Sequence, residues 1–228
     1  MKLVRLLIDR GASPTSRNYT PTDLAKKYGQ ERVYDLLVSK GGIPVKPKEA
    51  AQLTLIEAAQ DGDYERVQAA IKNGAVIDAF DAGRQTALLA ALKLPIVMKP
   101  KRAVTILWLL DHGADPNVKD KDGSSPLHNF IFWNKGTLNA RQGTYPKESA
   151  ELILARLLKA GAKISGVDEI GRTPLHVAAK NDNMRGAELL IEAGAKVMSR
   201  DKLGKAPLDY AESAAMIKLL KQNGATEQ

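Results

Sequence analysis

The chain has 228 residues, 44% hydrophobic and 26% charged, the balance of a globular protein with one large domain or two small ones. Its 34 Lys and Arg outweigh 26 Asp and Glu, giving a net charge of +8. It has no cysteine, which excludes disulfides, zinc ribbons, iron–sulfur sites and a thiol nucleophile. No apolar run approaches the ~18 residues of a membrane helix, and residues 1–10 lack the apolar core of a signal peptide, so a cytoplasmic location is expected.

Seven short apolar segments each end in glycine, at Gly11, Gly41, Gly74, Gly113, Gly161, Gly194 and Gly224. Ala follows six of them, and the spacings are 30, 33, 39, 48, 33 and 30 residues. In chain order, the residues seven, four and three positions before each glycine begin with Val4, Leu7 and Ile8. They continue through Tyr34/Leu37/Val38, Val67/Ala70/Ile71, Ile106/Leu109/Leu110, Leu154/Leu157/Leu158 and Ala187/Leu190/Ile191 to Ile217/Leu220/Lys221. Offsets of i, i+3 and i+4 place each trio on one face of a helix, which the glycine then stops. A second helix start precedes six of these segments: Thr20-Pro21, Leu53-Thr54, Thr86-Ala87, Ser125-Pro126, Thr173-Pro174 and Ala206-Pro207. Thr or Ser before Pro is an N-cap with proline in the first helical position. Turns such as Asp122-Gly123 and Ile170-Gly171 lie between each glycine and the next cap.

This pattern resembles the ankyrin repeat, a turn and two antiparallel helices carrying T-P-L-H-x-A at a period near 33 residues. Thr173-Pro174-Leu175-His176-Val177-Ala178 fits that motif at every specified position. The resemblance implies an all-α solenoid of stacked helix-turn-helix units joined by β-turn fingers. It gives one array over 1–228: a half repeat at 1–10, then units 11–40, 41–73, 74–112, 113–160, 161–193 and 194–223. The segment 42–50 departs from the turn pattern and marks a bend or sub-array boundary. Lys221 replaces the apolar residue of the other copies, as expected of a terminal unit with one wet face. The half repeat 1–10 has no first helix before it, so the chain is expected to be cut from a longer array, the alternatives being that this helix self-associates or frays. Units 74–112 and 113–160 carry extra residues near 93–101 and 134–148, where Pro and Gly mark loops.

Nothing in the sequence supports catalysis. His128 and His176 occupy the T-P-L-H slot, where the resemblance implies a bond to the backbone and the capping hydroxyl. His112 precedes a helix-ending glycine, no histidines fall at metal-ligand spacing, and the glycines are punctuation rather than a phosphate loop. No catalytic residue, cofactor or metal is expected. The resemblance implies instead a protein-interaction scaffold that holds its partner on turn tips and a concave face, centred on units 74–160. Carried over by position, its partner-binding residues are Tyr19, Tyr28, Gln85, Lys93, Lys121, Phe132, Trp133, Arg172, Lys180 and Lys202.

Phe132 and Trp133 end an aromatic run that starts at Phe130. They read either as binding hot spots or as residues packed beneath the loop 134–148 against Trp108 or Tyr145. Lys99, Lys101, Arg102, Lys135, Arg141 and Lys147 lie in two segments, 93–102 and 134–147, that contain no acid. They read as ordinary solvated loops or as a basic rim steering an acidic partner. The alternative function is a basic-rim module for nucleic acid or another polyanion, against which stands the lack of any nucleic-acid motif.

Overall fold

The computed structural model describes residues 22, 25, 30–39, 47–93, 101–134 and 147–226. The described residues are helical, with no strand among them. The helices are α1 (Glu31–Ser39), α2 (Pro47–Asp61), α3 (Tyr64–Lys72), α4 (Ala87–Leu92), α5 (Lys101–Asp111), α6 (Pro126–Trp133), α7 (Lys147–Lys159), α8 (Pro174–Lys180), α9 (Met184–Glu192) and α10 (Ala214–Gln222). A short 3-10 helix, Pro207–Tyr210, lies between α9 and α10.

From α2 onward the helices form two layers. In the first, α2, α4, α6, α8 and the 3-10 helix stack in sequence; each packs against its own partner in the second layer, α3, α5, α7, α9 and α10. Small residues allow this close stacking: Ala58, Ala59, Ala90, Ala91, Ala178 and Ala179 are buried in the first layer beside Leu55, Leu88, Leu127, Leu175 and Leu208. The second layer contributes Val67, Ile106, Leu109, Leu154, Leu157, Leu190 and Leu220 to the same core. At the end of the stack the periodic position is filled by Lys221, which is exposed.

The caps follow from residue chemistry. Thr86 Oγ1 accepts from the Leu89 N–H at 3.3 Å, and Ser125 and Thr173 sit before the prolines that open α6 and α8. At the other ends, Ala75, Ala114, Ala162, Ala195 and Ala225 each return their N–H to the carbonyl five residues back, at 2.8–3.0 Å. This is the double-bonded helix stop in which the residue after the glycine turns inward, and it explains why that residue is so often alanine.

His128 and His176 tie neighbouring units. The backbone N–H of Ser125 and of Thr173 donates to the Nδ1 of each, at 3.3 and 3.1 Å. Each Nε2 faces a carbonyl of the next unit, Arg172 O at 2.9 Å and Lys205 O at 3.0 Å. A carbonyl can only accept, so both rings are neutral with the proton on Nε2. Burial holds both below the ordinary imidazole value, against smaller opposing contributions from those carbonyls. Above pH ~6.5 the rings are neutral whether the chain is folded or not, and no penalty arises. As pH falls from there through the folded values, the unfolded chain takes up protons that the folded chain refuses. Stability should therefore drop, with a slope of at most about 2.7 kcal/mol per pH unit for two protons. Urea denaturation between pH 7.5 and 5 checks this; a flat profile would rule out the neutral tie.

Arg102, placed by sequence on the basic rim, is instead wholly buried in the first turn of α5. Its Nε and Nη2 donate to Gln60 O at 3.0 and 2.7 Å, at the end of α2 in the preceding unit. Asn183, which caps the start of α9, does the same, donating from Nδ2 to Ile131 O at 2.8 Å. The guanidinium is consumed holding one unit to the next and is not presented to solvent.

Candidate functional site

The turns between units are built on four aspartates, Asp81, Asp120, Asp168 and Asp201, each five residues before a cap position. In every case Oδ1 accepts the backbone N–H groups two and four residues on, at 2.8–3.1 Å. These turns project as fingers beside the first helix layer. Adjacent fingers are pinned together: Glu169 N–H donates to Asp122 O at 3.2 Å, and Lys202 N–H to Ile170 O at 3.0 Å.

Where fingers meet helices, a groove of about 420 Å³ opens. Lys93 from unit 74–112 lies at one end. Asp120, Asp122, His128, Asn129, Phe132 and Trp133 of unit 113–160 form its floor, and Arg172, Val177, Lys180 and Asn181 of unit 161–193 close it. A second hollow of about 460 Å³ shares Lys180 and Asn181 and continues to Asp182, Glu212 and Ser213.

Five of the residues selected from sequence, Lys93, Phe132, Trp133, Arg172 and Lys180, therefore line one groove. Phe132 is 48% and Trp133 37% exposed, and their rings meet edge to face with centroids 5.0 Å apart. Trp108 lies apart from them, half-buried in the second layer, stacked on His112 at 3.8 Å and edge-on to Tyr64. Gln85 is half-buried at the foot of the first finger, while Lys121 and Lys202 are exposed at fingertips outside the groove. Lys101 is exposed at the start of α5, and the side chain of Lys147, which opens α7, is outside the description. Tyr19, Tyr28, Lys99, Lys135 and Arg141 lie outside the described residues, as does the half repeat 1–10.

Charge in the groove is unevenly committed. Asp120 is buried: its Oδ1 takes the turn amides, and its Oδ2 receives Asn129 Nδ2 at 3.2 Å and lies 3.8 Å from Lys93 Nζ. Asp168 is likewise spent on its turn and on Arg172, whose Nε and Nη2 both reach its Oδ2 at 2.8 Å. Lys180 is exposed and makes no ion pair among the described residues. The sequence reading missed Asp120, Asp168 and Asn129, although an aspartate five residues ahead of the last four caps was there to be seen.

Among the described residues no cluster of three or more His, Asp or Glu is arranged to hold a metal ion, and no helix is long and apolar enough to cross a membrane.

Comparison with known proteins agrees with the repeat geometry. Residues 146–227 match a family described as ankyrin repeats, in three copies. The chain is 32% identical over 126 residues to an inactive serine/threonine-protein kinase TEX14 of Bos taurus, covering 55% of this chain and 7% of that protein. It is 30% identical over 151 residues to the neurogenic locus notch homolog protein 2 of Homo sapiens, covering 58% of this chain and 6% of that one. A putative ankyrin repeat-containing protein of Treponema pallidum is 30% identical over 140 residues, 60% of this chain and 45% of that relative. The chain thus spans less than half the length of each.

Proposed function

We propose, from the premise that this chain is an ankyrin-repeat protein, that it is a non-enzymatic protein-interaction module whose partner lies in the groove across units 74–112, 113–160 and 161–193. Ankyrin repeats in general mediate protein–protein interaction. The observation that carries the finer reading is the pair Phe132 and Trp133: two large rings, half-exposed side by side on a groove floor, flanked by cations from both neighbouring repeats. Aromatic side chains give large contact area at small entropic cost, and a central exposed pair is where binding energy concentrates. The units are taken as one continuous array, with the bend or boundary near 42–50.

Replacing Phe132 and Trp133 together by alanine should weaken partner binding by roughly 2 kcal/mol or more, because both rings lose their contact at the centre of the interface. Stability should fall far less, since neither ring is in the core. The measurement is affinity capture from the lysate of the protein's own organism, wild type against the double variant, with urea denaturation of each. Equal capture by a folded double variant would sink the reading.

A polyanion partner is the weaker alternative. The same groove is lined by Asp120 and Asp122, and Arg102, expected on a basic rim, is buried.

A further inference from the structure

The side chains that face the groove keep a register. Seven residues after each cap position stand Lys93, Phe132 and Lys180, counted from Thr86, Ser125 and Thr173, at or next to the end of their helix. The same count gives Gln60 one unit earlier and Ser213 one unit later, both uncharged. At this register position each unit presents one side chain, in the order cation, aromatic, cation along the stack, with uncharged residues beyond.

Stacked helices lie about 8–10 Å apart. An extended chain rises about 3.3 Å per residue, so consecutive units match every third residue of an extended segment. We infer that the groove binds an extended acidic segment in which an apolar or aromatic residue is flanked by carboxylates three positions to either side.

This inference rests on the proposed interaction role and names the partner's chemistry. Charge complementarity favours it. Lys180 makes no ion pair among the described residues, and Lys93 has only a 3.8 Å approach to Asp120, whose oxygens already accept from Asn129 and the turn amides. Two incoming carboxylates can take one ammonium group each without stranding a buried acid. The arrangement reads the same from either end, so the segment can run in either direction.

The probes are capped, dye-labelled heptapeptides followed by anisotropy at low salt. One has glutamate at both ends, phenylalanine at the centre and serine between. An isomer moves the glutamates next to the phenylalanine, and a third peptide carries lysines in place of glutamates. The spaced acidic peptide should bind the whole chain roughly tenfold more tightly than its isomer, and the lysine peptide least, because each matched pair adds a modest rim contribution. Lys180→Glu should remove that advantage, and a spaced peptide with one terminal lysine should restore it.

Equal binding of the two isomers, no effect of Lys180→Glu, or no binding of any peptide would overturn the inference. So would a single-stranded oligonucleotide that binds as tightly as the spaced peptide and is equally weakened by Lys180→Glu. If the peptides fail while protein capture still depends on Phe132 and Trp133, only the register is lost. If capture is insensitive to that pair, the interaction role falls with it.

Discussion

Arg102→Ala should lower the unfolding free energy by about 3 kcal/mol, because two charge-assisted hydrogen bonds and the packing of a buried side chain disappear together. The guanidinium is wholly buried and closes on Gln60 O with two nitrogens. Burial has a cost of its own and holds its pKa below the usual arginine value, partly offset by the nearby charge of Asp61. Arg102→Met should therefore lose less, about half as much, since it keeps most of the volume and removes the desolvated charge. Urea denaturation with constant m-values separates the two. An alanine variant within about 0.5 kcal/mol of wild type would mean that desolvation cancels the bonds.

A loss of similar size is expected from Gly171→Ala. Gly171 has φ +85°, and a Cβ placed there would lie 2.7 Å from Lys202 N in the next finger. The substitution adds backbone strain of about 1–2 kcal/mol, and the clash separates the fingers and breaks the bond from Lys202 N–H to Ile170 O, for a total near 3 kcal/mol. Gly161→Ala is the control. Its φ is +93°, but nothing lies within 4 Å of the added carbon, so only the strain of about 1–2 kcal/mol applies. Amide exchange at Lys202 should accelerate in the first variant and not in the second. Equal losses from the two would show that finger contact contributes nothing.

The helices and their order were legible in the sequence because both are set by local chemistry. An apolar stripe, a hydroxyl before proline and a glycine followed by alanine each have a local physical meaning, and α4, α6 and α8 start at Thr86, Ser125 and Thr173 as read. The groove was legible only in part. Lys93, Phe132, Trp133, Arg172 and Lys180 were selected by position, but their convergence on one hollow depends on stacking that no single unit encodes. Arg102 was misread because local composition counts charge and cannot see depth. A signal existed: eleven residues before their glycines, Ala150 and Asn183 occupy the same buried slot as Arg102. The finger aspartates were overlooked for the opposite reason, that an acid near a turn looks solvated until its acceptors are counted.

The pinned fingers carry a further consequence for how the stack comes apart. The bonds from Glu169 to Asp122 and from Lys202 to Ile170 join the last three fingers. The corresponding groups one unit earlier, Lys121 N–H and Gly83 O, make no such bond among the described residues. At that junction Arg84, with φ 53°, brings a side chain to the position that Gly123 and Gly171 leave bare. Among the described residues, the turns there are bridged by a backbone-to-carboxylate bond, Asp115 N–H to Asp78 Oδ1 at 3.0 Å, while the helices beside them are joined by the exposed ion pair of Arg156 with Asp111 at 2.7 Å. In a linear array each unit is held only by its neighbours, so partial unfolding is favoured at a seam whose fingers share no backbone bond. A fracture between the units bearing Lys93 and Phe132 would leave the later repeats folded while splitting the row of groove residues in two. Occupancy of the groove would in turn hold that seam shut, making ligand binding and the cooperativity of the array one and the same equilibrium.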